Sequence, residues 1–305
     1  MNTNNNGYTI IYTAIIVVVV AAVLAFVSQS LKKNQEANEQ ADVISQMMTA
    51  AGYGEKAGFE ALGNANVLAL YSEKIVKAYT IDAVGAVTGE LPTAEGEISI
   101  YTPKQLKDIY KGAKAGEAPE ALPVFVFENG ATVIPIYGAG LWGPIWGYIA
   151  FEGKEIKGAY FDHESETAGL GARIKDDPEF QARFNGKKVF VEGAEQPFEI
   201  AKAGFHKLGA DNGIDAIAGA TMTSNGLNDA INLWLKLYKP FFEGATACEG
   251  QHHECGEHHA CEGHGQEGCE GEHEGCQGHH EGCEGHHGDC DKPCCQEQTP
   301  KAEEE

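Results

Sequence analysis

The sequence predicts an α+β protein in three parts: a single N-terminal transmembrane helix, a mixed α/β domain and a disordered tail. Three observations support this prediction. A run of twenty uncharged residues lies near the N-terminus, short β-branched runs alternate with helical patterns in the middle, and all nine cysteines lie beyond residue 247. We place the boundaries of the parts at residues 1–31, 32–247 and 248–305.

Acidic charge is concentrated in the tail. The chain of 305 residues has a formal net charge of −23, and residues 248–305 supply 16 acidic side chains against only Lys292 and Lys301. The rest of the chain is mildly acidic, which argues against nucleic acid as a partner.

The apolar run covers Tyr8 to Val27 and is long enough to cross a bilayer. Met1 to Gly7 has no charged side chain, and the run is longer than the apolar region of a signal peptide. We therefore predict an uncleaved anchor in the inner membrane. Lys32 and Lys33 follow the run, and by the positive-inside rule they favour a cytoplasmic location for that side.

A polar segment continues from Lys32 to Ala51 and carries apolar residues at helical spacing. This pattern predicts that the anchor helix continues and packs on the following domain. The stripe consists of Ala41, Ile44, Met47, Met48 and Ala51. A stripe that contains methionine is typical of core packing, and we assign it no cofactor contact.

Alternating, β-branched runs predict strands within 72–88 and over Ile98 to Pro103. Lys111 to Leu122 is rich in glycine and alanine, which predicts an exposed loop. Two further strands, 124–127 and 131–136, are separated by Asn129-Gly130, which is a strong hairpin signal.

A glycine-rich loop with two tryptophans then leads into a strand within Gly138 to Phe151. No βαβ unit surrounds it, so it is not a dinucleotide-binding turn. Trp142 and Trp146 fit either the wall of a site for an aromatic ligand or the seal of a core. A strand over 156–163 follows and delivers the loop 164–172.

A short helix with a polar turn is predicted over Asp176 to Lys188, and a strand is predicted to start at Val189. Further along, helical spacing begins at Leu227, and Thr223 or Ser224 is a natural N-cap.

The small residues Gly219 and Ala220 precede Thr221, so a bulky group could approach the backbone there. An anion on the hydroxyl of Thr221 would lie near a helix N-terminus, where free N–H groups and the macrodipole favour negative charge. A plain turn followed by a capped helix explains the same pattern, so local chemistry leaves both interpretations open.

Residues 215–221, Asp-Ala-Ile-Ala-Gly-Ala-Thr, resemble the flavinylation motif of proteins that carry FMN as a phosphoester on threonine. This form of FMN occurs in the C subunit of the sodium-translocating NADH:quinone oxidoreductase. Thr221 matches the modified position and Asp215 the leading acid, while Ala218 stands where the family usually has serine or threonine.

Two other stretches are similar to the FMN-binding domain of that protein: Gly-Leu-Trp-Gly-Pro-Ile-Trp-Gly-Tyr at 140–148 and Asp-His-Glu-Ser-Glu-Thr-Ala-Gly-Leu-Gly at 162–171. Ala168 replaces the proline usual in the second. With the anchor included, the resemblance extends from Tyr8 to Tyr238.

The resemblance implies a membrane-anchored flavoprotein subunit that relays electrons between NADH and quinone in a sodium-pumping complex, with its domain on the periplasmic side. It implies that FMN is bound through its phosphate to Thr221 by a separate flavin transferase that uses FAD. The other implied flavin contacts are Asp215, Gly219, Ala220, Trp142, Glu166, Thr167, Gly169 and Leu170. No catalytic residue and no metal ligand are predicted in the domain, and the chain is expected to be part of an enzyme only together with the other members of the complex.

Two alternatives stay open. One is the homologous G subunit of the ferredoxin:NAD oxidoreductase complex. The other is an anchored metal-buffering protein that acts through its tail, where a seven-residue repeat over 267–287 places cysteine and histidine every few residues. Such side chains bind zinc, copper or nickel, although no fixed Cys-x-x-Cys pairing is present.

Overall fold

The computed structural model describes residues 6–249, so the predicted tail lies outside the described residues. The first helix, α1, covers Asn6–Ala50. Its N-terminal half is exposed, and it is long and apolar enough to span a membrane. Its C-terminal part packs on the domain, because the whole predicted stripe from Ala41 to Ala51 is buried. The prediction of a docking helix is therefore confirmed.

Six antiparallel strands of the described region form the main sheet, in the spatial order β2-β1-β3-β4-β5-β6. Their bounds are β1 Ile75–Ile81, β2 Val87–Leu91, β3 Leu122–Phe127, β4 Thr132–Ala139, β5 Pro144–Glu152 and β6 Glu155–His163. The hairpin predicted around Asn129-Gly130 is confirmed: Gly130 has a φ of 81°, and Phe127 N–H donates to Ala131 O at 2.9 Å.

The other elements between residues 6 and 249 are six helices and a small parallel sheet. They are α2 Lys56–Leu62, α3 Asn64–Lys74, α4 Pro103–Ala115, α5 Arg173–Asp176, α6 Pro178–Ala182, α7 Thr221–Glu249, β7 Glu199–Ala201 and β8 Gly213–Asp215. The short helix predicted after Asp176 corresponds to α6.

The main sheet is covered on both faces, and successive residues of a strand therefore enter different cores. In β5, Tyr148 and Ala150 pack with the C-terminal part of α1, whereas Ile149 and Phe151 pack with α7. Because both faces of β5 are buried, this strand is held between α1 on one side and α7 on the other.

Helix α7 approaches β4 very closely because both elements carry glycine at the contact. A Cβ added to Gly138 would lie 2.5 Å from the Cβ of Ala230, and a Cβ on Gly226 would meet the carbonyl oxygen of Ala139. Further along the helix, Trp234 Nε1 donates to Tyr137 O at 2.7 Å. These contacts place the N-terminus of α7 beside the loop that follows β4.

Three predictions from local pattern are wrong. Ile98 to Pro103 is not a strand, because Thr102 and Gln105 form a capping box and Pro103 starts α4. Ile98 and Ile100 lie in the segment before α4 and are buried in the core. Helix α4 continues to Ala115, well into the predicted loop. The strand expected at Val189 is absent because Phe190 has a φ of 56°, which a strand does not accommodate.

The start of the last helix also differs from its prediction. α7 begins at Thr221, and Ser224 N–H donates to Ala220 O at 2.9 Å as its first helical bond. Thr223 and Ser224 therefore lie inside the first turn and do not cap it.

Candidate functional site

Three segments meet at one end of the strands β4, β5 and β6, near the N-terminus of α7. The loop 140–143 joins β4 to β5, the loop 164–172 follows β6, and the segment 216–220 leads from β8 into α7. These segments contain all the residues that the sequence predicted as flavin contacts except Asp215 and Thr221, which flank the third segment.

Glu166 ties the segments together. Its Oε1 accepts from Trp142 N–H at 2.9 Å and its Oε2 accepts from the Thr223 hydroxyl at 2.7 Å, while the residue is only 8% exposed. Gly140 and Gly171 leave room for this carboxylate, since a Cβ at either position would collide with it. Glu166 was predicted as a flavin contact. In the structure its carboxylate joins the loops 140–143 and 164–172 to the first turn of α7.

The loop 164–172 is closed by hydrogen bonds of its own. Thr167 O accepts from Leu170 N–H and from Ala172 N–H, each at 3.1 Å, and Gly169 has a φ of 73°. The N–H of Leu170, a predicted flavin contact, is thus engaged within the loop. The Thr167 side chain and Gly169 are exposed and stay predicted contacts.

His163 supports the same loop. Its Nδ1 accepts from Glu166 N–H at 3.2 Å, and its own N–H donates to Asp162 Oδ1 at 2.7 Å. Asp162 is buried and also accepts from Gln46 Nε2 of α1 at 3.2 Å. The loop is therefore linked through Asp162 to α1.

The short helices after the loop fix its other end. Arg173 Nε donates to Asp177 Oδ2 at 3.1 Å, and Asp177 Oδ1 caps α6 by accepting from Glu179 N–H at 3.1 Å. The guanidinium of Arg173 lowers the pKa of the Asp177 carboxyl below its usual value.

The segments that meet near the N-terminus of α7 carry exposed apolar side chains. We call this set the apolar rim; it consists of Leu141, Trp142, Leu170 and Met222, which are 48%, 66%, 44% and 61% exposed. Trp142 therefore does not seal a core, whereas Trp146 is half-buried and donates its Nε1 to Gln46 Oε1 at 3.1 Å. Exposed apolar groups gathered at one place are typical of a binding surface.

Thr221 is the exposed first residue of α7, and the apolar rim flanks it. Gly219 has a φ of 82°, and a Cβ there would lie 3.1 Å from Leu170 Cδ2. Ser224 Oγ accepts from Ile217 N–H at 3.1 Å, which fixes the approach to the helix. The arrangement offers a free hydroxyl beside the free N–H groups of a helix N-terminus.

Asp215 ends β8, and its Oδ1 lies 2.7 Å from His206 Nε2. Ala220, in contrast, is buried beneath the start of α7. The structure thus gives Asp215 a partner that no local sequence pattern indicated. Among the described side chains of residues 7–244, no group of three or more His, Cys, Asp or Glu residues is arranged to hold a metal ion.

Residues 140–236 match the model of the FMN-binding domain family. The matched region includes both loops and Thr221. The chain is 28% identical over 215 residues to the C subunit of the Na(+)-translocating NADH-quinone reductase of Vibrio vulnificus YJ016, with 67% of this chain and 81% of that protein covered. It is 35% identical over 127 residues to the corresponding protein of Pasteurella multocida, with 39% and 48% covered.

Solved structures are similar as well. The crystal structure of the C subunit of the Na(+)-translocating NADH-quinone reductase from Parabacteroides distasonis matches with a TM-score of 0.53 and 30% identity, over 70% of this chain and 96% of that one. The crystal structure of Shewanella oneidensis NqrC matches with a TM-score of 0.53 and 25% identity, over 69% and 99%.

Proposed function

Because the chain belongs to the NqrC family, the C subunits of the Na(+)-translocating NADH-quinone reductase, we propose that it is a membrane-anchored subunit that relays electrons through FMN bound covalently to Thr221. The observation that carries this proposal is the exposed Thr221 hydroxyl at the start of α7, flanked by the apolar rim. As a member of this family, the chain is an oxidoreductase subunit that works with the other members of its complex.

The residues at the site fit FMN in two ways. The apolar rim offers a surface for an isoalloxazine ring, which prefers aromatic and aliphatic walls. The first turn of α7 can stabilise the single negative charge of a phosphodiester by about 0.3–1 kcal/mol at an exposed position. When bound, FMN supplies reversible electron transfer, and the protein contributes binding, orientation and the local field.

Each part of the site has a distinct task. Trp142 and Leu170 of the rim exclude water from the ring, and the exposed Thr167 hydroxyl and Gly169 backbone offer polar contacts at its edge. Glu166 keeps the two loops at a fixed distance from α7. Gly219 leaves space for the phosphate beside the backbone.

Attachment requires a second enzyme. Among residues 7–244, whose side chains the structure describes, none hydrogen-bonds the Thr221 hydroxyl, so this part of the domain offers it no base. In transfer from FAD, the Thr221 oxygen forms a bond to the phosphorus of the FMN half, the pyrophosphate P–O bond breaks, AMP leaves, and the hydroxyl proton passes to a base of the transferase. No oxidant or reductant is consumed.

Mass measurement of the intact chain tests the proposal. The chain co-produced with a flavin transferase should gain the mass of one FMN less one water, and peptide mapping should place it on 221. The chain produced without the transferase should lack that mass. Absence of the adduct in both preparations would contradict covalent attachment.

The anchor helix enters the domain at the end that carries the site. A cleft of about 400 Å³ brings Glu39, Asp42 and Val43 of α1 beside Pro144 and Glu164, which flank the two site loops. At the opposite end of β6, a Cβ on Gly158 would meet the carbonyl oxygen of Ala50. For a chain anchored through Tyr8 to Val27, Thr221 is therefore carried on the side of the domain nearer the membrane.

We expect the domain to lie on the periplasmic side, as the resemblance implies and against the small bias of Lys32 and Lys33. A reporter that works only in the cytoplasm should be silent when fused after Glu305 and active when fused before Met1. Activity at the C-terminal fusion would place the domain in the cytoplasm.

The matched relatives are C subunits, so the comparison favours this family over the G subunit alternative.

The tail has a separate, accessory role in the proposal. Its nine cysteines and ten histidines between Cys248 and Cys295 are soft and borderline ligands that bind zinc, copper or nickel.

Removal of residues 248–305 should abolish zinc binding and leave the flavin content and unfolding midpoint unchanged, because FMN attachment needs only the domain. Competition with a zinc chelator measures zinc binding, fluorescence of the denatured chain measures flavin content, and denaturant unfolding gives the midpoint. Zinc uptake by the shortened chain would exclude the tail as the ligand source, and loss of flavin would show that the boundary at 247 is wrong.

A further inference from the structure

Three polar side chains that come before Thr221, the proposed flavin acceptor, in the sequence lie next to one another in space. Glu199 in β7 and Asp215 in β8 lie on neighbouring parallel strands, and His206 lies in the connection between them. His206 Nδ1 is 3.6 Å from Glu199 Oε2, and its Nε2 is 2.7 Å from Asp215 Oδ1. The imidazole thus bridges a buried carboxylate and an exposed one.

Glu199 is the fixed end of this group. It is 6% exposed, and its Oε2 also accepts from Lys207 N–H and Leu208 N–H, each at 2.9 Å. Because these donors follow His206 directly, they hold the turn that carries the imidazole. The backbone at His206 is therefore held by Glu199, and the imidazole reaches Asp215 from a fixed position.

Asp215 is the free end. Its side chain is 51% exposed, and a carboxylate at the surface would normally sample several rotamers. The contact with His206 holds the Asp215 carboxylate in one orientation. Both side chains line a cleft of about 380 Å³, which Arg183 and Lys187 also line.

The rest of the acceptor segment is equally fixed. Ala216 N–H donates to Ala201 O at 2.7 Å, and the buried bond from Ile217 N–H to Ser224 Oγ joins the segment to α7. The segment from Asp215 to Ala220 is thus held at both ends before any modification of Thr221.

We propose that His206 is a positioning residue for flavin attachment, which holds the Asp215 carboxylate as a recognition contact for the flavin transferase. The proposal rests on the proposed function, because it concerns the transfer that modifies Thr221. The transferase is expected to meet Asp215 with a cationic or N–H donor, since an ionised carboxylate only accepts hydrogen bonds. Glu199 acts through His206 and touches neither reactant.

The test measures initial rates of flavin transfer from FAD to the purified full-length chain by a purified transferase, read as fluorescence of the denatured product. His206→Ala should lower kcat/KM by about tenfold, chiefly through KM, the size expected when one charge-assisted hydrogen bond is lost. His206→Gln retains an N–H donor of similar reach and should recover most of the rate. Asp211→Asn removes another exposed acid nearby and should change nothing.

A double substitution separates positioning from a merely structural role. If His206 acts through Asp215, then His206→Ala combined with Asp215→Asn should be no slower than Asp215→Asn alone. An unchanged rate in His206→Ala, or additive losses in the double variant, would overturn the inference. A lowered unfolding midpoint with an unchanged rate would overturn it as well. If the unaltered chain took up no flavin, the proposed function would fail, and this inference with it.

Discussion

Replacement of Thr221 by alanine is expected to abolish all flavin that survives denaturation. The helix N-terminus stabilises a phosphodiester by about 0.3–1 kcal/mol, which cannot retain a ligand in an unfolded chain. Only a covalent bond can, and Thr221 offers its hydroxyl at the surface next to the apolar rim. Fluorescence of the denatured chain, co-produced with the transferase, measures the loss. The fold should be unaffected, because the Thr221 side chain is exposed.

Two variants serve as controls. Thr221→Ser retains a hydroxyl and should keep covalent flavin. Thr223→Ala should also keep it but lose about 1–3 kcal/mol of unfolding free energy, because Glu166 Oε2 then lacks its buried donor. Flavin on a peptide modified at Thr223, or covalent flavin in Thr221→Ala, would show that the acceptor is assigned wrongly.

Replacement of Glu166 by alanine should give the largest loss of stability at the site. The substitution leaves Trp142 N–H and the buried Thr223 hydroxyl without an acceptor, at a cost of about 2–4 kcal/mol in unfolding free energy. Because the carboxylate fixes both loops against α7, the yield of covalent flavin should fall too. Denaturant unfolding followed by tryptophan fluorescence, together with flavin content, measures both effects.

Glu164→Ala is the matched control for Glu166. The Glu164 side chain is exposed, and its backbone N–H donates to Pro144 O at 3.0 Å, a bond that alanine keeps. The stability of this variant should change by less than about 0.5 kcal/mol. Glu166→Gln keeps one acceptor and should fall between the two. Equal stability of Glu164→Ala and Glu166→Ala would rule out the joining role of Glu166.

The parts of the fold that the sequence predicted correctly are those set by neighbours in the chain. Asn129-Gly130 determines its hairpin within a few residues, and the apolar stripe of α1 already contains the surface that packs. The strands expected at Ile98 and Val189 failed because a capping box and the positive φ of Phe190 outweigh β-branched composition. Similarly, α7 starts six residues before Leu227, where the helical spacing begins, because Ser224 N–H already donates to Ala220 O.

In the candidate site, too, the sequence predicted the features set by neighbours in the chain and missed those set by distant contacts. The motif around Thr221 and the two loops could be found from the sequence because each is a contiguous stretch. The function of Glu166 could not, since its partners are 24 and 57 residues away. Nor could the pairing of His206 with Asp215, which depends on the register of β7 and β8.

The unbroken helix α1 has a consequence for how the domain is oriented. Ser28 to Glu39 is exposed along its full length, which places the domain about 18 Å beyond the apolar span at 1.5 Å per residue. Since Gln46 hydrogen-bonds both Trp146 and Asp162, the domain cannot turn about the axis of α1 independently of the apolar half of that helix. The rotation of the domain about this axis is therefore set by the rotation of the apolar half of α1. Two added residues between Ser28 and Glu39 would swing Thr221 about 200° around that axis, whereas seven would return it to within about 20° of its original bearing.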